Sequence, residues 1–128
     1  MTRAFLLPLA LATMLAILPV PQAGAFDMRF LCSGIGDEAV EEEAAFPHTL
    51  KIVYATPDGK FLGNIEITLT QGGTTLLETT CPGPWLLANL LAGRYGLISQ
   101  HEGEEQSGTL TVDTQREGAA PQQITIRF

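Results

Sequence analysis

The sequence predicts an all-β fold, a seven-stranded antiparallel sandwich of two layers that follows a short N-terminal helical segment. Short stretches of alternating apolar and polar residues recur through residues 48–128, and turns rich in glycine and proline separate them. Within residues 83–95, an apolar strand leads to a turn at Gly93 and a second strand that begins at Tyr95. Seven short strands joined by turns favour a two-layer sandwich over an α/β fold.

Residues 1–25 have the features of a secretory signal peptide. Arg3 precedes an apolar stretch at residues 4–20, and Ala23 and Ala25 are small enough for the positions before a cleavage site. The stretch contains prolines and is shorter than the roughly 20 residues that a membrane-spanning helix needs. We therefore expect cleavage after Ala25, no stable membrane insertion of the mature chain, and a periplasmic or secreted protein.

The rest of the chain is long enough for one domain, which we divide into an N-terminal segment at 26–47 and a sandwich at 48–128. The whole chain has a formal net charge of -7, which disfavours binding to nucleic acid or to an anionic membrane. This acidic surplus is typical of a soluble exported protein. Attraction to a cationic partner or to a metal is the alternative interpretation.

Cys32 and Cys81 are the two cysteines, and in an exported protein they predict a disulfide. The bond would close a loop of about 50 residues and stabilise the fold by about 4 kcal/mol, because it restricts the unfolded chain. It would also hold the N-terminal segment against the sandwich. Two free thiols are the alternative, since the sequence does not show whether the two Cα atoms come within bridging distance.

A short acidic helix is predicted within residues 34–47. Gly36 and Asp37 can begin it, glutamates favour its first turn, and Pro47 ends it. The three adjacent glutamates at residues 41–43 spread around a helical turn, so they cannot converge on one ligand. We expect a solvated helix at the edge of the domain.

The predicted strands lie at residues 50–55, 65–70, 75–80, 85–90, 95–100, 107–113 and 123–128. In the second strand, Ile65, Ile67 and Leu69 alternate with polar residues, which is typical of a strand with one face in the core and one in water. Turn sequences separate the first three strands, at residues 56–59 and 71–74. The fourth strand is too apolar to have a solvated side, and its first residue, Trp85, is predicted to anchor the core.

The later strands have shorter alternating patterns, but apolar and polar residues again take turns along the strand. In the sixth, Leu110 and Val112 alternate with threonines, and in the seventh, Ile124, Ile126 and Phe128 share one face. An acidic loop joins the fifth strand to the sixth, and a loop of small residues joins the sixth to the seventh. The sixth and seventh strands therefore each have one apolar face to bury.

The motif at residues 90–95, Leu-x-x-Gly-x-Tyr, resembles the closing hairpin of carboxypeptidase regulatory-like domains, which are small sandwiches of transthyretin-like shape. The order of the whole mature chain is similar to a group of small exported bacterial proteins with such domains. The other matching segments are residues 34–38, 50–55, 61–69 and 83–85. Pro82 and Cys81 depart from the family pattern, where an aspartate and a hydroxyl residue are usual. The resemblance implies a non-catalytic accessory domain.

We find no catalytic motif, no metal-binding motif and no cofactor motif in the sequence. His48 and His101 stand outside any metal or nucleophile motif, and we expect them at the surface or at strand ends. They could share a metal with the acidic loop residues Glu102, Glu104 and Glu105 only if the fold brings all of them together. The transthyretin-like shape also occurs in 5-hydroxyisourate hydrolases, but their Tyr-Arg-Gly-Ser-like ending is absent here. The protein is therefore not predicted to be an enzyme.

Two binding hypotheses remain. The first is an interaction module that pairs an exposed sheet edge or an apolar patch with another envelope protein, by strand addition. The second is a carbohydrate- or peptide-binding domain that uses Trp85, Tyr54 or Tyr95 as a stacking platform. We favour the first, because it needs no catalytic group and agrees with the accessory role that the resemblance implies.

Overall fold

The computed structural model describes residues 28–115 and 118–128, which form eight β-strands and one α-helix. In chain order they are β1 (Arg29–Ser33), α1 (Ala39–Ala45), β2 (Leu50–Ala55), β3 (Ile65–Gln71), β4 (Thr74–Cys81), β5 (Trp85–Asn89), β6 (Gly93–His101), β7 (Glu104–Val112) and β8 (Gln122–Arg127). The predicted signal peptide, residues 1–25, lies outside the described residues. Within the described ranges, no helix is long and apolar enough to cross a membrane.

The strands form two four-stranded sheets, which pack face to face. Sheet A has the order β1-β5-β2-β8, and sheet B has the order β4-β3-β6-β7. The predicted all-β sandwich is confirmed, but the prediction of seven antiparallel strands was wrong in two respects. There are eight strands, and β8 pairs with β2 in parallel while the other pairs are antiparallel. A parallel pair needs a long connection, and here β3 to β7 all lie between the two partners.

The strand missing from the prediction is β1, in the segment before the helix. It pairs with β5 along its whole length, from Arg29 opposite Asn89 to Ser33 opposite Trp85. Phe30 and Cys32 face the core, but the alternation lasts only five residues and is half-exposed. Such a short pattern does not indicate a strand by itself, so β1 depends on the edge that β5 offers for pairing.

The core lies between the two sheets and follows the predicted alternation. In β3, Ile65, Ile67 and Leu69 are buried while Glu66 is exposed, as the sequence indicates. The buried hydroxyl groups of Tyr54 and Ser99 lie 2.7 Å apart and form a hydrogen bond across the interior. This bond satisfies both polar groups, which would otherwise oppose burial.

The helix α1 lies across the outer face of sheet A. Ser33 Oγ donates to Glu42 Oε1 at 2.7 Å, and Lys51 Nζ donates to Glu43 Oε1 at 2.8 Å. The helix ends at the predicted place: the backbone at Phe46 is extended, because the residue before Pro47 is disfavoured in the helical conformation. The outer face of sheet B has no helix of the described chain over it.

The predicted disulfide between Cys32 and Cys81 is confirmed, with a Cα–Cα distance of 5.3 Å and a sequence separation of 49 residues. Cys32 belongs to β1 of sheet A and Cys81 to β4 of sheet B, so the bond joins the two sheets at one edge of the sandwich. A disulfide indicates an oxidising environment outside the cytoplasm.

Candidate functional site

Two of the three aromatic residues predicted as a stacking platform lie inside the protein. The side chain of Tyr54 is completely buried, and that of Tyr95 is nearly so. The Tyr95 hydroxyl donates to the carbonyl of Leu91 at 2.7 Å, so both rings have internal polar partners. Neither ring presents a face to a ligand at the surface.

Trp85 is not a core anchor, contrary to the sequence prediction. Its neighbour Leu86 points into the core, and the half-buried Trp85 lies on the outer face of sheet A. One face of its ring is covered by the Lys51 ammonium group, 3.6 Å from the ring centroid. Gly34 also approaches closely, since a Cβ atom at that position would lie 2.8 Å from the ring. Trp85 therefore helps to attach α1 and the segment before it to the sheet.

We expect the substitution Lys51→Met to lower the free energy of unfolding by about 1 kcal/mol. The substitution removes both the cation–π contact of Lys51 with Trp85 and the ion pair of Lys51 with Glu43. Methionine keeps the apolar contacts that the aliphatic part of the lysine side chain makes. Urea denaturation measures this change, with Lys60→Met as the matched control. Lys60 is exposed, so its substitution is expected to change stability by less than about 0.5 kcal/mol. Equal effects of the two substitutions would contradict the assigned role of Lys51.

The two histidines belong to different parts of the fold: His48 lies in the loop before β2 of sheet A, and His101 lies in β6 of sheet B. His48 precedes β2, and its Nδ1 atom lies 2.6 Å from the carbonyl oxygen of Phe46. Because a carbonyl oxygen only accepts, Nδ1 carries the proton. His101 ends β6, where its ring packs against Phe128 and lies near the exposed Glu102. Among the described residues, no three side chains of His, Cys, Asp or Glu lie close enough together to hold a metal ion.

The edge opposite the disulfide contains a groove between β7 and β8. These strands belong to different sheets, and two glutamine side chains connect them. Gln106 Nε2 donates to the carbonyl of Arg127 at 2.6 Å, and Gln122 Nε2 donates to the carbonyl of Thr111 at 3.2 Å. The start of β7 therefore lies beside the end of β8, and the two strands run in opposite directions along the groove.

The groove between these glutamine bridges is mainly apolar and has a volume of about 220 Å³. Its apolar side chains are Leu97, Leu110, Ile124 and Ile126. Gly108 lies in the middle of β7, opposite Leu97 in the register, and therefore on the side of the strand that faces the groove. A Cβ atom at Gly108 would meet no atom within 4 Å. The fold does not require glycine there, and its missing side chain leaves the groove open.

A second concave surface lies on the outer face of sheet B and has a volume of about 440 Å³. It is polar, and Glu66, Glu78 and Glu105 are among the residues that line it. Glu105 accepts a hydrogen bond from Gln100 at 2.7 Å, and Ile98 is the apolar side chain most exposed there. These are the residues that alternation places on a solvated sheet face. We therefore regard the β7–β8 groove, with its apolar lining, as the candidate site.

Comparison with known proteins does not assign the chain to a family: no protein-family model matches it, and the curated proteins gave no match. The resemblance to carboxypeptidase regulatory-like domains rests on the sequence motifs alone and stays a prediction.

The groove is not among the features that the sequence predicts, although Gly108 falls within a predicted strand. A glycine inside an alternating strand is unfavourable for the strand and often marks a close approach of another backbone or ligand. That signal could have singled out Gly108. The position of β8 beside β7 could not be predicted in the same way, because it depends on the pairing of β8 with β2.

Proposed function

We propose that this protein is a non-catalytic exported module that binds an extended segment of another envelope protein by strand addition in the β7–β8 groove. The observation that carries the proposal is the open apolar groove at Gly108, between two strands that are both sheet edges. Strand addition needs an exposed edge for backbone hydrogen bonds and a pocket for alternate side chains. The groove offers both.

The edges of β7 and β8 supply the backbone groups for such binding. Alternate residues of an edge strand direct their N–H and C=O groups away from the neighbouring strand of the sheet. The glutamine bridges use the carbonyl groups of Arg127 and Thr111, which lie at the ends of the groove. The middle of each edge is then left for an added strand.

The export part of the proposal is supported by the disulfide and by the predicted signal peptide. The Cys32–Cys81 bond persists in an oxidising compartment, as in the periplasm or the medium. The resemblance to accessory domains supports a binding role beside a larger system.

The alternative of a carbohydrate- or peptide-binding platform has less support. Tyr54 and Tyr95 are interior, and Lys51 covers one face of Trp85. The hydrolase alternative requires histidines that act together, whereas His48 and His101 belong to different parts of the sandwich. We therefore prefer strand addition to both.

The proposal is tested by filling the groove with the substitution Gly108→Val. Valine favours the strand conformation, and a Cβ atom at this position meets no other atom within 4 Å, so the variant is expected to be at least as stable as the wild type. Its side chain occupies the space of the incoming residue, and we expect at least a tenfold loss of partner capture. Crosslinking in intact cells, followed by purification of the protein and mass spectrometry, measures this capture.

Thr80→Val is the matched control, because Thr80 is also an exposed strand residue but lies on the outer face of sheet B, away from the groove. We expect this variant to capture the same envelope protein as the wild type. If Gly108→Val captured the partner equally well, binding would lie elsewhere. If the purified protein bound a small molecule and crosslinked to no envelope protein, the interaction hypothesis itself would be wrong.

A further inference from the structure

We infer that the segment bound in the β7–β8 groove is short, aliphatic in its middle and basic at its ends. This inference rests on the proposed function and specifies the chemistry of the partner. Three features of the groove lead to it: the spacing of the glutamine bridges, the empty space at Gly108, and the carboxylates beyond each end.

The glutamine bridges limit the length of the segment. On β7 they lie at Gln106 and at the carbonyl of Thr111. Strands rise about 3.4 Å per residue, so the open part of the edge is roughly 17 Å long. Four residues of β7, 107–110, lie between the bridges, so an added strand has room for about four residues there, and the flanking residues of the partner must lie beyond them.

The space at Gly108 determines the side chain in the middle of the segment. The groove volume of about 220 Å³ is larger than the roughly 150 Å³ cavity that holds a benzene ring. Its walls are aliphatic, with Leu97 and Leu110 on one side and Ile124 and Ile126 on the other. A branched aliphatic side chain fits this space, and its neighbours along the segment point outward to water.

The charges at the two ends favour a basic segment. Glu104 begins β7 on the strand face that contains Gly108, and Asp113 directly follows β7; both residues are exposed. The charged residue of β8 is Arg127, whose guanidinium donates to the carbonyl of Thr56. One carboxylate lies beyond each end of the groove, and the one guanidinium is bound to the Thr56 carbonyl, so both ends are attractive for lysine or arginine. The net charge of the whole chain has the same sign.

Defined peptides test the inference. The first probe is a short peptide of alternating threonine and valine with lysine at both ends; the second has glutamate at both ends, and the third replaces valine with serine. At low salt we expect the lysine-ended valine peptide to bind about tenfold more tightly than the glutamate-ended one, with the difference lost at high salt. The serine peptide is expected to bind at least tenfold more weakly. Fluorescence anisotropy of labelled peptides measures all three.

A charge-reversal pair separates local from overall charge. Glu104→Lys/Asp113→Lys is expected to reverse the preference between the lysine-ended and glutamate-ended peptides. Glu66→Lys/Glu78→Lys changes the net charge equally but on the outer face of sheet B, so it should leave the preference unchanged.

The outcomes distinguish this inference from the proposed function. Equal affinity for the two valine peptides, with binding abolished by Gly108→Val, would overturn the basic character of the segment and leave strand addition standing. Binding that persists in Gly108→Val would place the peptide outside the groove and overturn the inference. Failure of every peptide to bind would overturn the inference, while strand addition itself is decided separately by partner capture with Gly108→Val.

Discussion

Removal of the disulfide by Cys32→Ala/Cys81→Ala is expected to lower the free energy of unfolding by about 4 kcal/mol. The bond closes a loop with a sequence separation of 49 residues, so in the chain-entropy description it greatly restricts the unfolded chain. It also joins sheet A to sheet B, through β1 and β4. For a domain whose total stability is typically 5–15 kcal/mol, this loss is large.

Urea denaturation of the double variant and of the wild type measures the loss, and the reduced wild type is the control. Alanine is used because Cys81 is completely buried, and serine would add an unpartnered hydroxyl to the core. The reduced wild type keeps the cysteine side chains and should match the variant to within about 1 kcal/mol, the cost of a small side-chain change. A loss below about 1 kcal/mol in both samples would show that the bond contributes little.

The second large effect is a loss of stability at alkaline pH that depends on Tyr54. Burial of the phenol raises the pKa of Tyr54 to about 12, and the hydrogen bond with Ser99 acts in the opposite direction. Between about pH 10 and 12 the unfolded chain has released this proton while the folded chain keeps it. The contribution of the protonated Tyr54 to the free energy of unfolding is therefore complete below about pH 10 and is lost as the pH rises toward 12. The total loss is about 2 to 3 kcal/mol.

Tyr54→Phe removes this ionisation and is the matched control. At neutral pH the variant should be less stable by about 1 kcal/mol, because the buried Ser99 hydroxyl loses its partner. As the pH rises from 10 to 12, the difference between the two proteins should shrink and then change sign. Free energies of unfolding measured at a series of pH values show this crossing, and parallel curves for the two proteins would contradict the role of Tyr54.

The sandwich closes differently at its two edges. The β1–β4 edge has a covalent bond between the sheets, while the β7–β8 edge has the hydrogen bonds of Gln106 and Gln122. Edge strands at both sides present backbone groups to which a strand can be added, but the open apolar groove at Gly108 lies at the second edge. This asymmetry agrees with a binding groove at the second edge.

Part of the candidate site could be predicted from the sequence. The alternation of Leu110 and Val112 in β7, and of Ile124 and Ile126 in β8, correctly indicated strands with one buried face. Gly108 could have been noticed as an exception within such a strand. The groove itself could not be predicted, since no local pattern shows that edges of two different sheets lie side by side.

The sequence by itself determined the alternating core strands, the helix end before Pro47 and which two cysteines could form a disulfide, and the structure confirms that bond. These features depend on the two-residue period of side chains, on the geometry of proline and on the number of cysteines, which are all local or countable. Only the tertiary structure decided that Arg29–Ser33 is a strand, that β8 runs parallel to β2, and that Trp85 faces outward. Each of these depends on pairing between segments far apart in the chain, because hydrogen bonds across a sheet, and not local preference, select the partner and its register.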